Sequence, residues 1–181
     1  MTSVLIRDLC PTTTQYSTVD HMSFQLIPDE FFVTSGSAVS PISDLNAFDL
    51  ALHRAGVAEQ NMVAVSSVIP PQAKMVPYRK LPMGMVTHCV LAQMRGRDGD
   101  RIASGIAYAF RKDGYGGYVA EGHMFGDKEA LDEELRRKIK EMERMRGIEF
   151  EEPVILSEEL KVPEGEYGCT IVSLVFCGYR D

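Results

Sequence analysis

Basic stripes, long apolar runs and paired metal-ligand spacings are all missing from this chain of 181 residues. No basic stripe runs along the chain and the net charge is −7, which argues against nonspecific nucleic-acid binding, since that needs a basic patch. No uninterrupted apolar stretch approaches the length of a membrane span, so no membrane partner is expected. The N-terminus, MTSVLIRDLCPTTTQ, lacks a positive n-region followed by an apolar run; it does not read as a secretory signal, and a cytoplasmic location is expected. Cys10, Cys89, Cys169 and Cys177 show no Cys-x-x-Cys spacing, and His21, His53, His88 and His123 form no His-x-x-x-His pair. Reduced thiols and no bound metal are therefore expected. GYGG (114–117) has neither a Walker lysine nor a following helix, and Gly-x-Ser-x-Gly is absent; a phosphate loop and a hydrolase elbow are both unsupported. There is no internal repeat and no low-complexity tract.

What is present is ordinary in bulk. Apolar residues make up 45% and charged residues 25%, and the length suits one domain able to bury roughly 70% of its unfolded surface. Residues 1 to about 28 are polar and mixed and read as an arm of uncertain order, leaving 29–181 as the single domain. FFVTSGSAV (31–39) reads as a strand broken by Gly36. PISDLNAFDLALHRAG (41–56) reads as a helix capped by Ser43 and stopped by Gly56, with Leu45, Phe48, Leu52 and Ala55 on one face and Asp49 at its edge. NMVAVSSVIP (61–70) reads as a strand covered on both faces, followed by a long irregular connection to Gly84. Three strands follow, MVTHCVLAQMR, RIASGIAYAFRK and YGGYVAEGHMF, joined by GRDGD and KDGYGG, each carrying the Asp-Gly hairpin signal. The middle strand has Ile102, Ile106, Tyr108 and Phe110 on one face and Ala103, Gly105, Ala107 and Ala109 on the other, a small-residue face suited to a close-packed layer. DKEALDEELRRKIKEMERMRG (127–147) is a helix with Leu131, Leu135, Ile139, Met142 and Met145 as its stripe, and GCTIVSLVFCGY (168–179) is a last strand. The expected class is an α+β layered sandwich.

The stretch NMVAVSSVIPP (61–71) poses a chemical question, because serine is a poor strand former and a buried hydroxyl needs a partner. In a tight turn, the second serine of such a pair can attack the carbonyl behind it and convert the peptide bond to an ester. β-Elimination and hydrolysis then leave a pyruvoyl group at the head of a new chain. Here Ser67 would become that group and Ser66 the new C-terminus, and Asn61 carries an amide suited to the developing oxyanion. For an arbitrary Ser-Ser pair, two hydroxyls hydrogen-bonding a loop are the commoner reading. Glu121 and His123, two apart and on one face of a strand, suit proton transfer, although a cross-strand ion pair is the commoner explanation.

LNAFDLAL (45–52), AGVAEQNMVAVSSVIPP (55–71), VPYRKLPMG (76–84) and GGYVAEG (116–122), in this order, resemble the pyruvoyl-dependent arginine decarboxylases over about residues 30 to 179. The resemblance implies a four-layer αββα sandwich with mainly antiparallel sheets, self-cleaved into a β chain of residues 1–66 and an α chain of residues 67–181. It also implies a homotrimer of cleaved protomers with active sites between subunits. Carried over by position, Ser66 and Ser67 are the scissile pair, Asn61 assists cleavage and Glu121 is the catalytic proton donor. Asp49 receives the substrate guanidinium between Leu45 and Leu52, with Ser66 also at the substrate. The implied cofactor is a covalent pyruvoyl group from Ser67, with no pyridoxal phosphate: its ketone forms a Schiff base with the substrate amine and serves as the electron sink. The implied reaction is decarboxylation of L-arginine to agmatine for polyamine synthesis. Ala58 and Gln60 depart from the pattern, standing where a glycine and an apolar residue are expected to line the substrate site. Two other readings are a pyruvoyl decarboxylase of another amino acid and an unprocessed relative acting in binding or assembly.

Overall fold

A computed structural model describes residues 26–180. The elements in chain order are β1 (Ile27–Ser40), α1 (Asp44–Arg54), β2 (Asn61–Ala64), β3 (Val68–Ile69), β4 (Lys74–Met75), β5 (Val86–Arg97), β6 (Arg101–Phe110), β7 (Gly117–Phe125), α2 (Lys128–Arg146), β8 (Val154–Lys161) and β9 (Tyr167–Arg180). One sheet runs β2-β5-β9-β1-β4 and the other β3-β7-β6-β8. Most pairings are antiparallel; the two parallel ones attach the short edge strands β2 and β4.

Three hydrophobic cores separate four layers, giving the αββα order. Ala47 and Ala51 of α1 pack on Phe32, Ile171 and Val175 of the first sheet. Phe31, Val90, Val172 and Leu174 meet Ile106, Tyr108 and Val119 between the sheets. Leu131, Leu135 and Ile139 of α2 cover Ala103, Ala107 and Ala109 of the second. The small-residue face of β6 thus serves a helix, and its large face makes the inter-sheet core. The close-packed layer expected on the alanine face is helix α2.

Local signals set the helix ends. The Ser43 hydroxyl accepts the Asn46 N–H at 3.1 Å, and Gly56 follows the helix at φ +76°. The Asp127 carboxylate accepts the Ala130 N–H at 2.9 Å, and Gly147 takes φ 62°. The apolar stripes are narrower than the spacing suggests: Leu45 is 64% and Met145 70% exposed, and the α1 contact is carried by its alanines.

Several expectations are corrected. The arm assigned to residues 1–28 lies almost wholly outside the described residues, and Ile27 and Pro28 already belong to β1. Gly36 does not break that strand; it lets α1 approach, since a Cβ there would stand 2.9 Å from the Ala55 nitrogen. Residues 61–70 are not one covered strand: β2 is an exposed edge of the first sheet and β3 an edge of the second. The long connection contains β4. GRDGD does form the expected turn, with Asp98 at φ 45°, Gly99 at φ 82° and the Asp100 N–H bonded to the Arg97 carbonyl at 2.9 Å. Its flanking strands nevertheless enter different sheets, so it is a corner rather than a hairpin, while KDGYGG joins the paired strands β6 and β7. Strand β8 went unread because its SEE run interrupts any alternation.

Two outcomes follow from this packing. Gly36→Ala should cost about 2 kcal/mol by overpacking the α1 contact, seen as a Tm lower by several degrees in thermal unfolding. Burial pushes the Cys89 and Cys169 thiols up to about 11 from an ordinary 9.0. They should resist iodoacetamide in the native protein at pH 8 and react once it is unfolded, followed by peptide-resolved mass spectrometry. The unfolded chain releases these protons before the folded one, so stability should fall as pH rises from about 9 to about 11.

Candidate functional site

Chain crossing between the sheets builds the site. The Val65 N–H donates to the Cys89 carbonyl at 2.9 Å, the last bond to the first sheet. Val68 and Ile69 then pair with Tyr118 and Gly117 in the second. Ser66 and Ser67 lie in the step between. The Val68 N–H donates to the Ser66 carbonyl at 2.9 Å, closing a three-residue turn centred on Ser67. The Ser67 carbonyl accepts the Val119 N–H at 3.0 Å, and the Ser67 hydroxyl donates to Glu121 Oε2 at 2.9 Å. Ser66 is exposed and Ser67 half-buried.

The surrounding glycines have a steric purpose. Gly116, at φ +83°, lies so close to the Ile69–Pro71 segment that a Cβ would stand 3.2 Å from the Pro71 nitrogen. GYGG is therefore a turn, as expected, and one that makes room for the chain leaving the serine pair.

Ser67 and Glu121, 54 residues apart, are brought into direct contact. Glu121 makes no ion pair among the described residues; it takes a serine hydroxyl rather than the cross-strand cation expected. His123, exposed on the same face two residues on, pairs along the ladder with Ser104. The backbone N–H groups of Val68 and Val119 escaped the sequence reading, because any residue but proline supplies such a donor and no side-chain motif marks it.

The other candidates lie elsewhere in the protomer. The Asn61 side-chain amide donates to the Gly84 carbonyl at 2.8 Å and makes no hydrogen bond to Ser66 or Ser67. The Gln60 amide reaches the Leu81 and Pro82 carbonyls at 3.1 and 3.3 Å, so this pair of residues fastens the LPMG loop to the start of β2. Asp49 and Leu45 are exposed on α1 and Leu52 is half-buried, all on the layer outside the first sheet. At the end of α1 a cavity of about 460 Å³ is lined by His53, Ala58, Gln60, Tyr78, Lys80 and Met83. Among the described residues, no group of three or more His, Cys, Asp or Glu side chains is placed to hold a metal ion, and no helix is long and apolar enough to cross a membrane.

A family model described as "Pyruvoyl-dependent arginine decarboxylase" matches residues 30–181. A protein of that name from Methanothermobacter thermautotrophicus is 32% identical over 145 residues, covering 80% of this chain and 93% of its own. One from Methanococcus maripaludis is 31% identical over 141 residues, covering 77% of this chain and 83% of its own. "Pyruvoyl-dependent arginine decarboxylase 2" of Methanosarcina mazei is 33% identical over 146 residues, covering 76% and 79% respectively.

Proposed function

The chain belongs to the pyruvoyl-dependent arginine decarboxylase family, and on that premise we propose that it cleaves itself between Ser66 and Ser67 and then decarboxylates L-arginine to agmatine, for polyamine synthesis. The observation that carries this reading is the 2.9 Å contact between the Ser67 hydroxyl and Glu121.

In the first step Ser67 Oγ attacks the Ser66 carbonyl carbon while Glu121 takes the hydroxyl proton. Charge develops on the Ser66 carbonyl oxygen, where the Val68 N–H already donates at 2.9 Å. The C–N bond breaks, its nitrogen takes a proton, and the Ser66 acyl group rests on Ser67 Oγ as an ester. Loss of the Ser67 α-proton expels Ser66 as a carboxylate. Hydrolysis of the resulting dehydroalanine releases ammonia and leaves the ketone at the head of residues 67–181. The half-buried turn, held by Val119 through the Ser67 carbonyl, suits a small group fixed in place and reachable from one side.

When formed, the pyruvoyl ketone supplies covalent attachment for the substrate amine and a sink for the electron pair left as carbon dioxide departs. This chain's residues supply the rest. Glu121, as an acid, delivers the proton to the substrate carbon. Asp49 takes the guanidinium through two parallel charged hydrogen bonds, flanked by Leu45 and Leu52.

Asp49 sits on the outer side of the first sheet, so a neighbouring copy must bring it to Ser67, in a homotrimer of cleaved protomers. Exposed apolar residues support this docking: Ile42, Leu45 and Leu50 around Asp49, Val63 and Val68 flanking the serine pair, and Val86 beside Asn61. Asn61, exposed on the edge strand β2, assists cleavage in the same assembly.

Denaturing gels and intact mass of the purified protein should show two fragments divided at residue 66, and carbon dioxide should be released from arginine in preference to lysine, ornithine or histidine. Ser67→Ala should leave one unbroken chain with no activity. A single active chain would refute the mechanism. Asp49→Ala should process normally and lose about a hundredfold in kcat/KM for arginine, the worth of a charged hydrogen-bonded pair.

A further inference from the structure

The Glu121 carboxylate loses the Ser67 hydroxyl when Ser67 is consumed. It accepts a hydrogen bond from that hydroxyl, which leaves with Ser66 in the reaction proposed above. Besides the β6–β7 ladder, which sets Glu121 opposite Ile106, what holds it during turnover must be a different group.

The backbone identifies one. Val119 points its N–H to the outer edge of β7, toward Ser67, and Glu121, two residues on, presents its own groups to that same edge. Strand β3 pairs only with Gly117 and Tyr118, so among the described residues this edge has no ladder partner beyond Val119. Lys138 of α2 fills the gap: its ammonium donates to the Glu121 carbonyl at 3.0 Å. Glu134, one turn earlier on α2, holds that ammonium at 2.7 Å, in the favourable order of acid before base. Gly122 leaves room for α2 here, since a Cβ would stand 2.9 Å from Leu131 Cδ1.

We infer that Lys138, held by Glu134, is a positioning residue that fixes the Glu121 backbone for decarboxylation and is not needed for self-cleavage. The inference rests on Glu121 being the proton donor. Before cleavage Glu121 is tied at both ends, by Ser67 through its carboxylate and by Lys138 through its carbonyl. Afterwards the carbonyl tie remains.

The test compares Lys138→Met, Lys138→Arg, Glu134→Gln and Glu121→Gln in the full-length protein. Processing is read by denaturing gel and turnover by carbon dioxide release. Lys138→Met should process fully, keep KM within about twofold and lose about tenfold in kcat, as misplacement of a reacting group does. Lys138→Arg should restore most of the kcat, and Glu134→Gln should show a smaller loss of the same kind. A fully processed Lys138→Met with unchanged kcat overturns the role of Lys138 alone. An unprocessed Lys138→Met beside a normally processed Lys138→Arg also overturns it, because Lys138 would then act on cleavage. A fully active Glu121→Gln overturns the reading of Glu121 on which it rests.

Discussion

The outer edge of β7 is the constraint from which the site follows. A strand edge carries backbone groups that must find partners, and this one finds three different kinds in succession. Val68 and Ile69 pair with its first residues, the Ser67 carbonyl takes the Val119 N–H, and the Lys138 ammonium takes the Glu121 carbonyl. Where the ladder ends, side chains take over. The serine pair lies at that transition, fixed by hydrogen bonds on both flanks and crossing open space between two sheets.

That crossing needs the particular layer order seen here. Strands β2 and β3 are both edge strands on the same side of the sandwich, so three residues suffice to step from one sheet to the other. Only a close-packed sandwich brings the edges near enough, and the inter-sheet core of Phe31, Ile106, Leu174 and Phe176 sets the spacing. Val65 anchors the step by packing into that core, leaving Ser66 outside and Ser67 half-covered. Close α2 packing matters equally: the alanines of β6 and Gly122 of β7 lower the helix onto the sheet until Lys138 can reach the edge. A bulkier β6 face would lift α2 away and leave the Glu121 carbonyl bare.

Features set by nearby residues were legible in the sequence. Ser43 and Asp127 cap their helices, and Asp98-Gly99 adopts the turn its composition demands. The serine pair and Glu121 were singled out from their chemistry and from a family resemblance, and the fold brings them together. What stayed hidden is non-local. A turn fixes the backbone over four residues but not which sheet each flanking strand joins, which is why β5 and β6 looked like a hairpin. The apolar run from Met62 to Ile69 looked like one buried strand because apolar residues left exposed at a sheet edge are indistinguishable, in sequence, from residues covered by a core. The role of β8, with Glu158 meeting the Ser35 hydroxyl of the opposite sheet at 2.6 Å, depends on a contact 123 residues away.

The same logic gives a physical reason for two motifs to occur in one chain. Asn61 and Gln60 precede the serine pair on β2, and LPMG lies more than twenty residues later, yet their side-chain amides bind the carbonyls of that loop. The Gly84 N–H returns a bond of 2.7 Å to Glu59, and the Asn61 N–H one of 2.9 Å to Met85. These bonds fix where β2 begins, hence its register on β5 and the point at which it runs out. A one-residue slip would turn every side chain of β2 to the opposite face and move the step between sheets. Gln60 thus has scaffold work that an apolar side chain could not perform, since its amide nitrogen carries two N–H donors, one for each carbonyl. A departure that looks like a changed substrate contact is, in this protomer, a second clasp on the loop that places the serine pair.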